Sequence, residues 1–493
     1  MRVTYSNALT VTPDILVCPV FENVKSGDIS DLQVRKIFED MSKNGFFKAE
    51  AGEAKIVYGS SKDLPKRVLL LGFGKKAKAS DSSVRNTIAK AVKGFQSKEI
   101  NTVGFLICSD IEQYIQPVAE GIMLVNYNPA QYKTGKDMDK VKEKLFTDLI
   151  FFGKNISVDD KKAVKKAQIL SESVNVVRDL VNGAPNYITV DAFANESKKM
   201  AKKHGYSIKV YDKAWIAKKG MGAFLGVNNG SGKKTAKLVV IEYKPKKASK
   251  KDPILLVGKG LVFDSGGYNL KPSKHIEDMH QDKAGGSLVI GIFNALKDLD
   301  IKRNVVGIIP LTENLIDSEA QKPSDVVTSY CGKTVEIRNT DAEGRMILAD
   351  ALSYGVETFK PEYTIDFATL TGSCIVALGD RYAGVMGNDE NLIAKLKKSG
   401  DKTDELVWEL PMHDDFREDM KGRVADLRNV DDGTSFYAGT SKAAAFLEYF
   451  VDKAKWAHLD IAGTAYSEKP KATDQQFATG YGVRLMVDFL ENC

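Results

Sequence analysis

The stretch TVEIRNTDAEGRMILADAL, residues 334–352, changes character in its middle. Its first seven residues alternate in the manner of a strand, its last seven carry apolar residues at helical spacing, and Gly344 lies between. A strand that runs through a short turn into a helix is the building unit of α/β folds. The turn holds two carboxylates, Asp341 and Glu343, and a guanidinium, Arg345. On a helix, residues two apart point in roughly opposite directions, whereas in a turning segment both can face one point. Read this way, the pair lies at the carboxyl end of a strand, where α/β sheets place their ligands.

The same alternation extends in both directions. Strands are predicted at residues 14–20, 54–59, 67–74 and 102–108, and again at 207–212, 237–244, 253–258, 304–311, 334–340, 363–370, 405–410 and 458–463. Between the two sets, Val164, Ala167, Leu170, Val174, Val177 and Leu180 recur at helical spacing; Asp159 or Asp160 can cap that helix, and Gly183 with Pro185 stops it. A chain of 493 residues exceeds one ordinary core. The expected fold class is therefore α/β with two domains. A smaller N-terminal α/β domain covers residues 1–158, and a connecting helix covers 159–183. A larger C-terminal α/β domain covers 184–493, with a mixed, mostly parallel sheet covered by helices on both faces.

Composition narrows the function. The net charge of +6 is mild for this length, and lysine clusters such as residues 244–252 read as solvated loops, so nucleic-acid contact is permitted but not required. No stretch is apolar for long enough to span a bilayer, and the first residues lack the basic start and apolar core of a secretory signal; a cytoplasmic protein is expected. Cys18, Cys108, Cys331, Cys374 and Cys493 are odd in number and never form a CxxC pair, which argues against a disulfide framework or a zinc ribbon. The five histidines show no HExxH spacing, and His458 reads as a core histidine in an apolar strand. No G-x-S-x-G elbow occurs, so serine or cysteine hydrolysis is not expected.

Two further segments put charge where apolar strands end. Residues 253–273 run from an apolar strand into Lys259, then Asp264 in a Gly-rich turn, then Lys271. Residues 275–296 read as a helix with Met279, Asp282 and Gly286 on one face, and Gly285 with Gly286 imply a closely packed neighbour. Taken singly, Asp264 reads as a turn residue, Asp282 as an exposed helix residue, the lysines as surface ion pairs, and Asp341 and Glu343 as helix caps. Taken together, four carboxylates and a lysine amine make a nest for two divalent cations, magnesium, manganese or zinc; without cations their repulsion would protonate some of them. Such a pair serves peptide or phosphate-ester hydrolysis equally.

NTDAEGRMILADAL, together with VGKGLVFDSGGYNLKPS at 257–273 and MHQDKAGG at 279–286, closely resembles the leucyl aminopeptidase family M17, the cytosol-type aminopeptidases. The likeness runs from about residue 178 to residue 466. The first 160 residues fit only by length and α/β pattern. The resemblance implies release of N-terminal amino acids, leucine and similar preferred, from peptides by attack of a metal-bridging water on the scissile carbonyl. It implies that Lys259, Asp264, Asp282, Asp341 and Glu343 hold two divalent metal ions, Mn2+ or Zn2+ with Mg2+ as a further candidate. Lys271 then resembles the catalytic lysine, and Arg345 the arginine that holds a bicarbonate acting as general base. Met279, Thr369, Leu370, Gly372 and Ala462, with Lys271, resemble the substrate pocket. A homohexamer is implied as well, and DNA binding, known among some bacterial relatives, is the alternative main or second role. Tyr268, Asn269, His280 and Lys283 depart from the usual pattern without removing a ligand.

Overall fold

The computed structural model describes all residues except 10, 24–27, 30, 60–64, 109, 232–234, 432–436, 470 and 475. The chain separates into two compact units, Met1–Glu172 with Lys469–Gln475, and Ser173–Glu468 with Gln476–Cys493. The division falls inside one helix, Val158–Asn182. Val164 and Ala167 on that helix join the core of the first unit, while Val177 packs within the second, close against Gly291.

The first unit is built on six strands: β1 (Arg2–Ser6), β2 (Ile15–Val20), β3 (Ala54–Tyr58), β4 (Arg67–Gly72), β5 (Thr102–Leu106) and β6 (Asp148–Phe152). They lie in the order β1-β6-β5-β2-β4-β3, and only β3 runs against its neighbour. Alternate residues enter opposite cores. Ile15, Val17, Leu69 and Leu71 face one, whereas Leu16, Cys18, Val68 and Leu70 face the other. A strand buried on both faces loses its polar alternation, which is why these strands read as continuous apolar runs. β1 and β6 were not expected.

The second unit contains β7 (Ser207–Asp212), β8 (Lys237–Tyr243), β9 (Ile254–Gly258), β10 (Gly260–Asp264), β11 (Val305–Asn314), β12 (Val326–Thr328), β13 (Thr334–Glu336), β14 (Tyr363–Ala368), β15 (Ala383–Gly387), β16 (Val407–Glu409), β17 (Leu427–Arg428) and β18 (Trp456–Asp460). Its main sheet has the order β16-β15-β18-β14-β9-β11-β8-β7, with β10 added beside β11. The sheet is mixed and mostly parallel, as expected. Leu255, Val257, Val306 and Ile308 share a core with the helices Gly344–Phe359 and Gly439–Glu448. The alternate positions Gly258 and Gly307 meet the helix Ala284–Leu296 on the opposite face: a Cβ at Gly258 would lie 2.3 Å from the Gly285 carbonyl oxygen, and one at Gly307 2.7 Å from the Phe293 ring.

Three local expectations are corrected. Residues 334–340 do not form a strand of the main sheet; only Thr334–Glu336 is extended, in a small sheet with β12 and β17. The Asn429 side chain takes the Arg338 and Asn339 N–H groups, at 2.8 and 3.2 Å, that a longer strand would need for its ladder. The expected single helix over 275–296 is broken into Ser273–Ile276, a 3-10 turn Met279–Lys283 and the helix Ala284–Leu296, so Met279, Asp282 and Gly286 do not share one helical face. Lastly, Asp264 is the end of a strand, β10, before it is part of a turn.

Candidate active site

Five parallel strands deliver polar residues at their carboxyl ends on one side of the sheet. Lys259 follows β9, Asp264 ends β10, Asn314 ends β11, Thr369 follows β14 and Asp460 ends β18. Asp341 and Glu343 enter from the loop before the helix Gly344–Phe359. Glu343 occupies the N-cap position of that helix, yet its side chain makes no capping bond, which removes the simple capping reading.

The acids converge. One carboxylate oxygen from each of Asp264, Asp341 and Glu343 lies within 4.8 Å of the others. Lys259 Nζ is 2.8 Å from Glu343 Oε1 and 2.7 Å from Asp282 Oδ2, and Lys271 Nζ is 2.9 Å from Asp264 Oδ2 and 2.6 Å from Asp341 Oδ1. Asp282, Lys259, Asp264 and Glu343 are all buried. Two lysines thus face four carboxylates, with acid in excess. The consequence is visible in acidity: burial and the Asp264 charge push the Glu343 carboxyl up to about 8 and that of Asp341 up to about 6, and burial raises Asp282 as well. Burial disfavours the ammonium of Lys259 and of Lys271, but the carboxylates outweigh it and hold both above the ordinary lysine value. The two lysines therefore supply part of the positive charge that the acids demand.

Glycines make this approach possible. A Cβ on Gly344 would lie 2.5 Å from Lys259 Cε, so the gap at Gly344 is the slot through which Lys259 reaches the acids. Gly285 and Gly286 behave as the sequence implied. The Gly286 N–H donates to the Lys259 carbonyl at 2.7 Å, and a Cβ on Gly285 would lie 2.1 Å from the Phe367 carbonyl oxygen. The helix therefore presses directly on the strand ends that carry the site.

The residues that hold the acids were harder to see in the sequence. Asn314 donates to Asp264 Oδ1 at 2.9 Å and to the Thr340 carbonyl at 3.1 Å, and the Thr369 hydroxyl donates to Asp282 Oδ1 at 2.7 Å. Asn429 donates to the Asn339 carbonyl at 2.6 Å, while its own carbonyl accepts from Arg345 Nη1 at 2.7 Å. The sequence signal for Asn314 is only a polar residue closing an apolar strand; Thr369 was implied as a pocket residue and not as a support for Asp282, and Asn429 carries no signal.

The expected pocket residues fall into two groups. Asp460 Oδ1 accepts from the Leu370 N–H at 3.2 Å and from the Ala462 N–H at 3.1 Å, which ties those two loops to one carboxylate beside Thr369. Met279 is half-buried at the start of the 3-10 turn that carries Asp282, and Gly372 is exposed at the start of the helix Gly372–Leu378.

Two donor atoms fit ligands of opposite charge. Glu343 Oε2 is buried with no hydrogen-bond partner among the described residues, which suits a cation. Arg345 Nε is likewise buried without a partner, which suits an anion, and burial lowers this guanidinium only to about 10, so it stays charged at neutral pH.

Known proteins match this chain over both units. The model of the cytosol aminopeptidase family catalytic domain matches residues 175–487, and that of the family's N-terminal domain matches residues 17–136. A probable cytosol aminopeptidase of Persephonella marina is 39% identical over 96% of this chain and 92% of its own, and one of Geobacter sp. is 38% identical over 90% and 89%. Among solved structures, a mutant of tomato leucine aminopeptidase superposes with a TM-score of 0.85 at 27% identity, covering 100% of this chain and 97% of that one. The bottromycin maturation enzyme BotP in complex with Mn gives 0.84 at 28% identity, over 97% and 99%. With both family domains matched in order along one chain, and relatives more than a third identical over nine tenths of it, the protein belongs to the cytosol aminopeptidase family.

Proposed function

We propose that this chain is a two-metal aminopeptidase that releases N-terminal residues, leucine and similar ones preferred, from peptides. The observation that carries the reading is the excess of acid, with buried Asp264 and Glu343 and half-buried Asp341 converging within 4.8 Å and Glu343 Oε2 without a hydrogen-bond partner among the described residues. Lys259, Asp264, Asp282, Asp341 and Glu343 would hold the two ions, and the manganese named with BotP makes Mn2+, alongside Zn2+ or Mg2+, the first to test. Divalent cations bound there supply Lewis-acid activation of the scissile carbonyl and of the attacking water.

The chain's own groups do the rest. Lys271 carries a compact charge at the edge of the acid cluster, suited to negative charge developing on the carbonyl oxygen. Arg345 offers a planar fork that fits bicarbonate, which would accept the proton of the attacking water. Leu370 and Ala462, joined through Asp460, with Thr369 and Gly372 on the Leu370 loop and Met279 on the turn that carries Asp282, would form the pocket for the first side chain. An apolar pocket discriminates weakly among aliphatic side chains, so specificity should be broad. A cytoplasmic homohexamer completes the reading.

The test is hydrolysis of leucine p-nitroanilide by chelator-stripped protein, before and after addition of Mn2+ or Zn2+, with Asp341→Ala in parallel. Cleavage restored by metal in the parent and not in the variant supports the proposal. Absence of cleavage under every metal, in folded and assembled protein, rejects it.

A further inference from the structure

The loop that carries Lys271 is fastened at its base and at its tip by different means. At the base, the Lys271 N–H donates to the Ser265 carbonyl at 3.0 Å, and Ser265 donates to the Asn314 carbonyl through its N–H and its hydroxyl, at 2.9 and 2.8 Å. Gly266 and Gly267, at φ of +87° and +64°, turn the chain back on itself. At the tip, Tyr268 and Leu270 are 47% and 56% exposed, so apolar burial contributes little to holding the loop there. Polar contacts with the opposite loop take its place. The Asn269 N–H donates to Thr340 Oγ1 at 2.9 Å, the Thr340 N–H donates to Asn269 Oδ1 at 2.8 Å, and Thr340 Oγ1 donates to the Gly266 carbonyl at 2.6 Å. Thr340 is buried and immediately precedes Asp341; Asn269 is exposed and lies two residues before Lys271.

We propose that Asn269 is a positioning residue, which through its reciprocal clamp on Thr340 sets the Lys271 ammonium against Asp341. Its kinetic readout rests on the aminopeptidase reading; its structural readout does not. A side-chain amide at this position supplies the acceptor for the buried Thr340 N–H, and loss of the amide frees the two loops to shift against each other. Because Asn269 is exposed, its removal costs little packing, so a kinetic effect would report on position and not on folding.

The experiment is a double-mutant cycle of Asn269→Ala and Thr340→Val, with Thr340→Ser as the variant that keeps the hydroxyl, each read for kcat, KM and bound metal. Misplacement of a catalytic group by an ångström can cost about 100-fold, so Asn269→Ala is expected to lower kcat by about 10- to 100-fold. KM and metal content should stay within about twofold of the parent, because only the positioning of charge is disturbed. Thr340→Val keeps the backbone N–H that Asn269 Oδ1 accepts from, so the double variant should fall below Thr340→Val, yet by less than the product of the two single losses, because hydroxyl and amide brace the same two loops; Thr340→Ser should keep most of the rate. In parallel, hydrogen exchange on the metal-loaded protein should quicken at the Thr340 amide in Asn269→Ala while the β9 amides keep their protection. Parent-like kcat in Asn269→Ala, independent losses that multiply in the double variant, or unchanged exchange at Thr340 would each overturn the clamp. Should the parent itself fail to cleave peptides, the aminopeptidase reading falls, and the exchange measurement alone decides the clamp.

Discussion

A single acid inside the main sheet and a cluster of acids at its carboxyl end behave in opposite ways. In its interior, Asp366 on β14 stands opposite His458 on β18. One oxygen meets His458 Nδ1 at 2.6 Å and the other accepts from Trp456 Nε1 at 2.7 Å, so the carboxylate is saturated. At the carboxyl ends of the strands, Glu343 uses one oxygen on Lys259 while the other has no hydrogen-bond partner among the described residues, and three further acids crowd the same two lysines. Burial of a charge therefore does not mark a functional site. What marks it is an acid count that the protein's own donors cannot balance.

The comparison can be broken in several places. The largest effect is expected from Glu343→Ala, or from chelation of the parent: if the surplus acid exists for cations, peptide hydrolysis should fall below detection while the melting temperature of the metal-free protein holds or rises. A metal-free Glu343→Ala protein that melts well below the parent would instead make the cluster structural. Asp366→Ala should do the reverse. Leaving a buried imidazole and indole N–H without their acceptor is expected to cost about 3–5 kcal/mol by denaturant unfolding, with the residual folded protein still binding Mn2+. Next in size, Lys271→Ala should lower kcat by about 10²- to 10³-fold with little change in Mn2+ affinity measured calorimetrically. An equal loss of affinity would show that Lys271 positions the ligands and does not act on the reacting carbonyl.

Gly344→Ala tests the slot for Lys259. Lys259 is pinned by Asp282 and Glu343 and has little room to withdraw, so overpacking should cost about 1–3 kcal/mol and weaken Mn2+ binding together. The smallest effect concerns pH. Burial works against charge on His458, but Asp366 outweighs it and raises the imidazole above its ordinary value of 6.5. A raised folded-state value means that the pair contributes fully below the unfolded value and loses its contribution as pH rises through the folded one. Melting temperature should accordingly decline gently as pH rises above about 6.5 in the parent and remain flatter in His458→Gln, with identical slopes counting against a charged pair.

Much of this was legible before any coordinates. The strand cores at 253–258, 304–311 and 363–370 announced themselves because fully buried parallel strands are apolar on both faces. Lys259, Asp264, Asp282, Asp341 and Glu343 read as ordinary polar residues one by one; they stood out only together, and the resemblance to the family implied their role as a ligand set. The errors had local causes. Residues 334–340 look like a strand by alternation alone, but Asn429, about 90 positions away, occupies the N–H groups of Arg338 and Asn339. The segment 275–296 looks like one helix because glycines, acids and apolar residues keep the helical period, while the chain breaks at Asp278–Met279 to turn Asp282 toward Lys259.

By itself, the sequence determined the α/β class, the family and the chemical identity of the acid cluster, since side-chain period and residue type are properties of neighbours along the chain. Only the tertiary structure decided that these acids outnumber their donors, that Gly344 is a slot for Lys259, and that Asn269, Asn314, Thr340 and Asn429 hold the loops in place. Those facts depend on which distant segments meet, and a hydrogen bond between residues 269 and 340 leaves no periodic trace in either.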